Sequence, residues 1–306
     1  MISSNRRILK LKVLLIAIKK TLDYTVPLLE AAGHDVRLLT HCRGIPLMLG
    51  LPECKEYVLE QITDFAPNLV INAVTTIVLP TSSEYTYLGN TEGSARLETH
   101  KWETRHNAGS LGWSLPVVLE ECTMDTMSSY SNTTYLKPKE DNPFAVQVPA
   151  NTTYNESFPL NTPAYVEESL DYAIGACCMF TVSNGAYHIT RTLGTSVGDG
   201  DGDEKSIESD GDWTCCYTFS DLTGATLAAF LAKCVTWLDY AVTLGGNYSG
   251  IIEAGITASN EVFWFEQNSR PGTYAESFLS GTIQDWIEGL STDPTKSPVT
   301  LYRTET

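Results

Sequence analysis

The order of apolar runs over residues 12–74 is what most constrains the fold. Residues 12–18 read Lys-Val-Leu-Leu-Ile-Ala-Ile, apolar at every position after the first, as in a strand buried on both faces. Residues 22–32 carry apolar side chains at helical spacing and stop at Gly33, a natural helix terminator. A second strand is expected over 36–40, an amphipathic helix over 53–65 ended by Ala66-Pro67, and a third buried strand over 68–74. Strand-helix-strand-helix-strand requires crossover connections, hence a parallel sheet flanked by helices. The chain is therefore read as α/β at its start, with residues 1–90 forming one parallel lobe.

A parallel α/β lobe invites the thought of a dinucleotide site, which needs a glycine-rich turn after the first strand so that backbone amides can approach a pyrophosphate. Here that junction is Ile18-Lys-Lys-Thr-Leu-Asp23, without glycine, and this lobe reads as scaffold or substrate platform. Charge narrows the field further. Thirty-seven acidic residues against twenty basic give a net charge of −17, which argues against nucleic acid as a partner, because phosphate backbones are bound by clustered Lys and Arg.

Arg6, Arg7, Lys10 and Lys12 ahead of an apolar run superficially resemble an export signal. The run is short, two lysines follow it, and no small-residue cleavage site appears, so a buried strand is the better reading. No other stretch is expected to approach the ~20 apolar residues of a membrane span. The eight cysteines and the sequons at Asn132, Asn151, Asn155 and Asn247 are also what a secreted, glycosylated chain would carry. A chain this long needs no disulfides, however, and reduced thiols in the cytoplasm are expected. No Cys-x-x-Cys pair is present, and the five histidines show no metal-ligand spacing.

Beyond residue 87 a short strand, a turn and one helix from Thr91 to His106 are expected, then an extended segment at 116–121 leading into a second lobe. Strands follow at 134–139 and 164–170. Residues 174–181 and 185–191 make a hairpin across Ser183-Asn184-Gly185, a strong turn signal. Residues 194–212 are rich in glycine and aspartate. Asp199, Asp201 and Asp203 imitate the start of a calcium loop, but the sixth position is Glu204 and the twelfth Asp210, so a solvated acidic loop is expected. A helix over 226–242 and two strands, 250–257 and 262–267, joined at Ser259-Asn260, complete the pattern.

The chemistry concentrates on that last strand. Glu266 and Asn268 share a face by period-two geometry. Two oxygen ligands at that spacing suit a hard cation bridging nucleotide phosphates. Glu253 supplies a third if the last two strands pair as a hairpin. Taken alone, the same residues would also suit a solvated strand end.

The segment Phe263-Trp-Phe-Glu-Gln-Asn-Ser-Arg-Pro-Gly272 resembles the ATP-grasp ligases, and in detail the D-alanine–D-alanine ligases. Residues 250–277 can be laid on that family's segment without a gap. Upstream, the run from Tyr87 through Gly89 and Arg96 to Lys101 is similar to the Tyr-x-Gly entry of the ATP-grasp region. Leu136-Lys-Pro138 resembles its phosphate-reaching strand, Val166-Glu-Glu-Ser-Leu170 its adenine hinge, and residues 66–72 its third strand.

The resemblance implies an ATP-grasp fold: a parallel α/β lobe (residues 1–90), then residues 91–285 as two mixed-sheet lobes clasping a nucleotide, about 115–170 and 171–285, with a C-terminal tail at 286–306. It implies ATP, with magnesium or manganese, as cofactors. Lys101 and Lys137 would neutralise phosphates, and Glu167, Glu168 and Leu170 would line the adenine hinge. Glu253, Glu266 and Asn268 would hold the metal, and Gly272 and Ser277 the substrate. Lys137 would serve catalysis; Arg270, which matches no family position, is a candidate for the charge that the family's arginine stabilises. The implied partners are small-molecule carboxylates and amines, with neither nucleic acid nor membrane, in a monomer or homodimer.

Departures are visible as well. No glycine lies between Lys137 and Val146, where the family has a phosphate-covering loop. The arginine expected just before the first metal ligand is Ile251, and Asn72-Ala-Val-Thr-Thr76 replaces a histidine-glycine turn. A degenerate ATP-grasp protein that binds a nucleotide or partner without ligation is the second reading.

Overall fold

The computed structural model describes residues 10–17, 25–31, 33–47, 50–80, 82–140, 146–153, 161–196, 206–207, 213–214 and 220–270. The first lobe contains β1 (Lys12–Ile16), α1 (Thr25–Ala31), β2 (Asp35–Leu39), the small β3 (His41–Cys42) and β4 (Ile45–Pro46), α2 (Pro52–Phe65), β5 (Leu69–Asn72) and β6 (Thr86–Leu88). Its main sheet is parallel throughout, in the order β2-β1-β5-β6. The alternation in β1 serves two cores at once. Val13 and Leu15 pack with Leu29 of α1, while Leu14 and Ile16 pack with Cys54, Val58, Ile62 and Phe65 of α2. That is why the strand is apolar on both faces. α2 ends where Ala66 turns left-handed (φ 47°), ahead of Pro67.

The expected single helix from Thr91 is two, α3 (Glu92–Thr99) and α4 (Lys101–Ser110). α3 opens with a reciprocal cap: the Thr91 hydroxyl accepts from the Ser94 amide (3.2 Å) and the Ser94 hydroxyl from the Thr91 amide (3.0 Å). The break falls at His100, whose backbone (φ −111°, ψ 67°) is not helical. Next to it, the Thr99 hydroxyl bonds back to the Ala95 carbonyl (3.2 Å), a local bond that competes with the helical ladder.

The second lobe is an antiparallel sheet of β7 (Val118–Thr123), β8 (Thr134–Pro138), β9 (Val146–Val148) and β10 (Pro163–Glu168), in the order β7-β10-β8-β9. β10 ends two residues earlier than expected, with an irregularity between Val166 and Glu167 where it meets β7.

The third lobe contains β11 (Ile174–Ser183), β12 (Ala186–Ser196), the short β13 (Ser206–Ile207), β14 (Trp213–Thr214) and β15 (Ser220–Asp221), then α5 (Gly224–Ala241), β16 (Tyr248–Ile256) and β17 (Val262–Asn268). Its main sheet runs β15-β12-β11-β16-β17, antiparallel. The β11–β12 hairpin turns at Asn184 (φ 53°) and Gly185 (φ 76°), the two left-handed residues such a turn demands. The calcium-like Asp199, Asp201 and Asp203 lie outside the described residues.

α5, continued by one 3-10 turn to Leu244, is long and apolar enough to cross a membrane. One of its faces (Phe230, Cys234, Trp237, Leu238 and Ala241) is buried in the core under the large sheet. Trp237 stands 4.3 Å from Trp264 between ring centroids, and Trp113 stands 5.0 Å from Trp264. Aromatic pairs of this kind contribute about 1 kcal/mol each beyond simple burial. This cluster fixes β17, and so fixes the polar residues on its far face.

Candidate active site

β16 and β17 pair in the register that sets Glu253 opposite Glu266 and Ile251 opposite Asn268. Three oxygen-bearing side chains thus share one face of the large sheet. The Asn268 amide nitrogen donates to Glu266 Oε1 (3.3 Å), which leaves the Asn268 carbonyl oxygen free of that bond. The strands pack closely here: a β-carbon at Gly250 would stand 2.7 Å from the Asn268 backbone carbonyl oxygen and 2.6 Å from the Phe180 ring.

Two lysines converge on the pair. Lys101, the first residue of α4 and 5% exposed, places Nζ on Glu266 Oε2. The break at His100 is what starts a new helix at this lysine. Lys137 comes from β8 in the neighbouring lobe, where its Nζ donates to the Phe265 carbonyl (3.3 Å) and pairs with Glu167 Oε2 (2.7 Å). Burial alone would raise the Glu266 carboxyl, but Lys101 and Lys137 outweigh it and hold the group down at about 2. Glu253 moves the other way, to about 8, raised by burial and then by the adjacent Glu266 charge. The two carboxylates lie opposite each other in the ladder, and the burial and charge around them favour the neutral form at Glu253 and the charged form at Glu266.

Arg270 lies just past β17. Its Nε donates to Glu98 Oε1 (2.8 Å), while the neighbouring Ser269 amide donates to Glu98 Oε2 (2.9 Å). Glu98, on α3, is wholly buried. Burial would lower the Arg270 guanidinium, yet Glu98 first, and then Glu266 and Glu253, raise it, so it is a permanent cation facing the carboxylate pair. Glu167 is enclosed, with Arg105 Nε on one carboxylate oxygen (2.6 Å) and Lys137 on the other. Its side chain therefore serves as a buried clamp on two cations. Glu168 is less buried and accepts from the Val117 amide (3.0 Å), and Leu170 is half-buried just beyond the strand. Gly272 and Ser277 lie outside the described residues.

Sequence reasoning overlooked Glu98 and Arg105. Arg105 carried a signal, since it sits four residues after Lys101 on the same helix; Glu98 lies across the break at His100 and carried none. Among the described residues, no three His, Cys, Asp or Glu side chains gather as a metal cluster. The set here is two carboxylates and an amide. Its chemistry still suits a divalent cation: hard oxygen donors on one face, one carboxyl charge already forced into protonation by its neighbour, and a Glu266 side chain 24% exposed.

No family model matches this sequence, and no curated protein matches it significantly. Solved structures do match. The chain is similar to an L-amino acid ligase from Bacillus licheniformis, at 15% identity and TM-score 0.59, over 89% of this chain and 70% of that one. It is similar to a carboxyaminoimidazole ribonucleotide synthase from Aspergillus clavatus, solved with ATP, at 12% identity and TM-score 0.58, over 90% and 73%. It is similar also to a biotin carboxylase from Campylobacter jejuni, at 9% identity and TM-score 0.55, over 94% and 72%. These are ATP-grasp enzymes. The chain has the ATP-grasp fold.

Proposed function

We propose that this protein is an ATP- and magnesium-dependent carboxylate–amine ligase, joining amino acids or similar small molecules in the manner of the D-alanine–D-alanine ligases it resembles. The observation that carries the reading is the convergence of Lys101, Lys137, Glu253, Glu266 and Asn268, drawn from α4 and from two sheets, on one face of β17. The L-amino acid ligase likeness favours amino-acid substrates, and the unbonded state of all six described cysteines suits a reducing cytoplasm.

In this reading the carboxylate oxygen of one substrate attacks the γ-phosphorus of ATP and ADP leaves with the P–O bonding pair. The amine then attacks the acyl carbon and phosphate departs. Both partners of the first step are anions, so the site must supply positive charge. Lys101 and Lys137 supply it to the phosphates, with Lys101 exchanging its Glu266 partner for phosphate oxygen. Glu253, Glu266 and the Asn268 carbonyl would hold magnesium, which when bound screens phosphate charge. Arg270, steered by Glu98, directs its guanidinium to the carboxylate entering the site. Glu167 holds Lys137 in place, and Glu168 and Leu170 flank the adenine.

The second reading is nucleotide binding without ligation. It is favoured by Ile251, buried opposite Asn268 where the resemblance calls for arginine. Incubation with Mg-ATP and a panel of amino acids and amines, followed by ADP measurement, separates the two. ADP formation that depends on both a carboxylate and an amine supports ligation. ATP binding without turnover across a broad panel supports the second reading.

A further inference from the structure

The face of the large sheet that carries Glu253 continues past the carboxylates. Ala176, Cys178, Phe180 and Val182 of β11 and Tyr248, Ile252, Ala254 and Ile256 of β16 all belong to the core under α5. By alternation, Cys177, Met179 and Thr181, with Ser249, Ile251 and Glu253, point the other way. Three cross-strand rows result. The first is Glu266, Glu253, Cys177 and Leu193; the second is Asn268, Ile251, Met179 and Arg191; the third is Ser249, Thr181 and His188.

The third row is unusual for a strand surface. Thr181 is 2% and Ser249 6% exposed, and Thr181 Oγ1, Ser249 Oγ and His188 Nε2 are all covered from solvent without a hydrogen-bond partner. A buried polar atom left unpaired is destabilising, because its hydration is lost and nothing replaces it. Valine or alanine would remove that cost at either hydroxyl position. On the opposite face Trp237 Nε1 donates to Gln267 and Ser269 Oγ donates to the Ser94 carbonyl, while the buried Tyr248 hydroxyl stands alone without a partner among the described residues. Three groups in adjacent positions of one row thus lack the hydrogen-bonding partner that burial demands. The row lies four residues along β16 from Glu253, about 13 Å at ~3.3 Å per residue. Arg270 follows Asn268 by two residues, on the side of the carboxylate pair toward which this row lies.

We propose that Ser249, Thr181 and His188 form the floor of the subsite for the tail of the carboxylate substrate, and that this tail carries neutral hydrogen-bonding groups, an amide or hydroxyl, rather than a hydrocarbon chain. The assignment rests on the ligase reading. Two hydroxyls and an imidazole offer donors and acceptors with no carboxylate and no lysine among them. The cation in the adjoining row, Arg191, is engaged by Asp221 (2.7 Å). A charged tail would lack a counter-ion on this floor.

The test uses the full chain with Mg-ATP and hydroxylamine, which intercepts an acyl phosphate as a hydroxamate and releases phosphate. L-Glutamine and L-leucine are compared as the acid, in the parent protein and in Thr181→Val/Ser249→Ala. The parent is expected to prefer glutamine by at least about tenfold in kcat/KM. The double variant is expected to lose that preference through a higher KM for glutamine, with ATP affinity retained and a thermal midpoint at or above the parent's. Turnover of leucine equal to glutamine in the parent, or an unchanged preference in the variant, overturns the assignment and leaves the ligase reading standing. ATP binding with no hydroxamate from any acid overturns both.

Discussion

Glu253 and Glu266 stand directly opposite each other across the β16–β17 ladder, and their surroundings drive their protonation apart. Glu266 faces two lysines and stays ionised. Glu253 is left with burial and a negative neighbour, and retains its proton to about pH 8.

Glu98 should be the more fragile support. It is wholly buried and holds both Arg270 and the Ser269 amide. Glu98→Ala leaves a buried guanidinium without its partner, and a loss of about 3–5 kcal/mol is expected in urea unfolding. A loss below about 1 kcal/mol would show that Arg270 finds another partner.

Glu167 and Glu168 are neighbours with unequal roles. Glu167→Gln strands Lys137 and Arg105, both largely buried, and should cost several kcal/mol. Glu168→Gln disturbs one bond to the Val117 amide and should cost about 1 kcal/mol or less. Equal unfolding midpoints for the two variants would refute the clamp.

Gly250→Ala tests the close approach beneath Asn268. The added carbon meets the Phe180 ring and the Asn268 carbonyl, so a stability loss of about 1–3 kcal/mol is expected. Weaker magnesium-dependent nucleotide binding should accompany it. A fully stable variant would mean that the strands separate at no cost.

Much of this was legible in advance because it depends on short-range patterns. The period-two face of Glu266 and Asn268, the Asn184-Gly185 turn and the two-sided burial of β1 are local, and they appear as expected. The break at His100 was hidden because residues 91–106 keep helical composition throughout; only the Thr99 hydroxyl marks it. The pairing of Glu167 with two cations was hidden because those cations come from α4 and β8, 62 residues away in one case. Long-range ion pairs leave no periodic trace.

Cysteine chemistry gives an independent check. Burial, then the nearby Glu253, pushes the Cys177 thiol up to about 12, and burial, then Glu120, pushes Cys122 to about 11. The thiolate is the reactive form, so a higher value means slower alkylation at fixed pH. At pH 8 both should label at least about tenfold more slowly in the native protein than in urea, read by mass spectrometry. Cys122, the more exposed of the two, should quicken first as pH rises toward 10. Labelling in native buffer as fast as in urea would show these strands open to solvent.

The central claim is that one face of β17 binds ATP with magnesium, and calorimetric titration of ATP with and without magnesium tests it most directly. The parent protein should bind more tightly with the metal. Glu266→Gln/Asn268→Ala should lose that gain, at least about tenfold in Kd, while its circular dichroism and thermal midpoint stay near the parent's. A variant whose ATP affinity responds to magnesium as the parent's does would contradict the account.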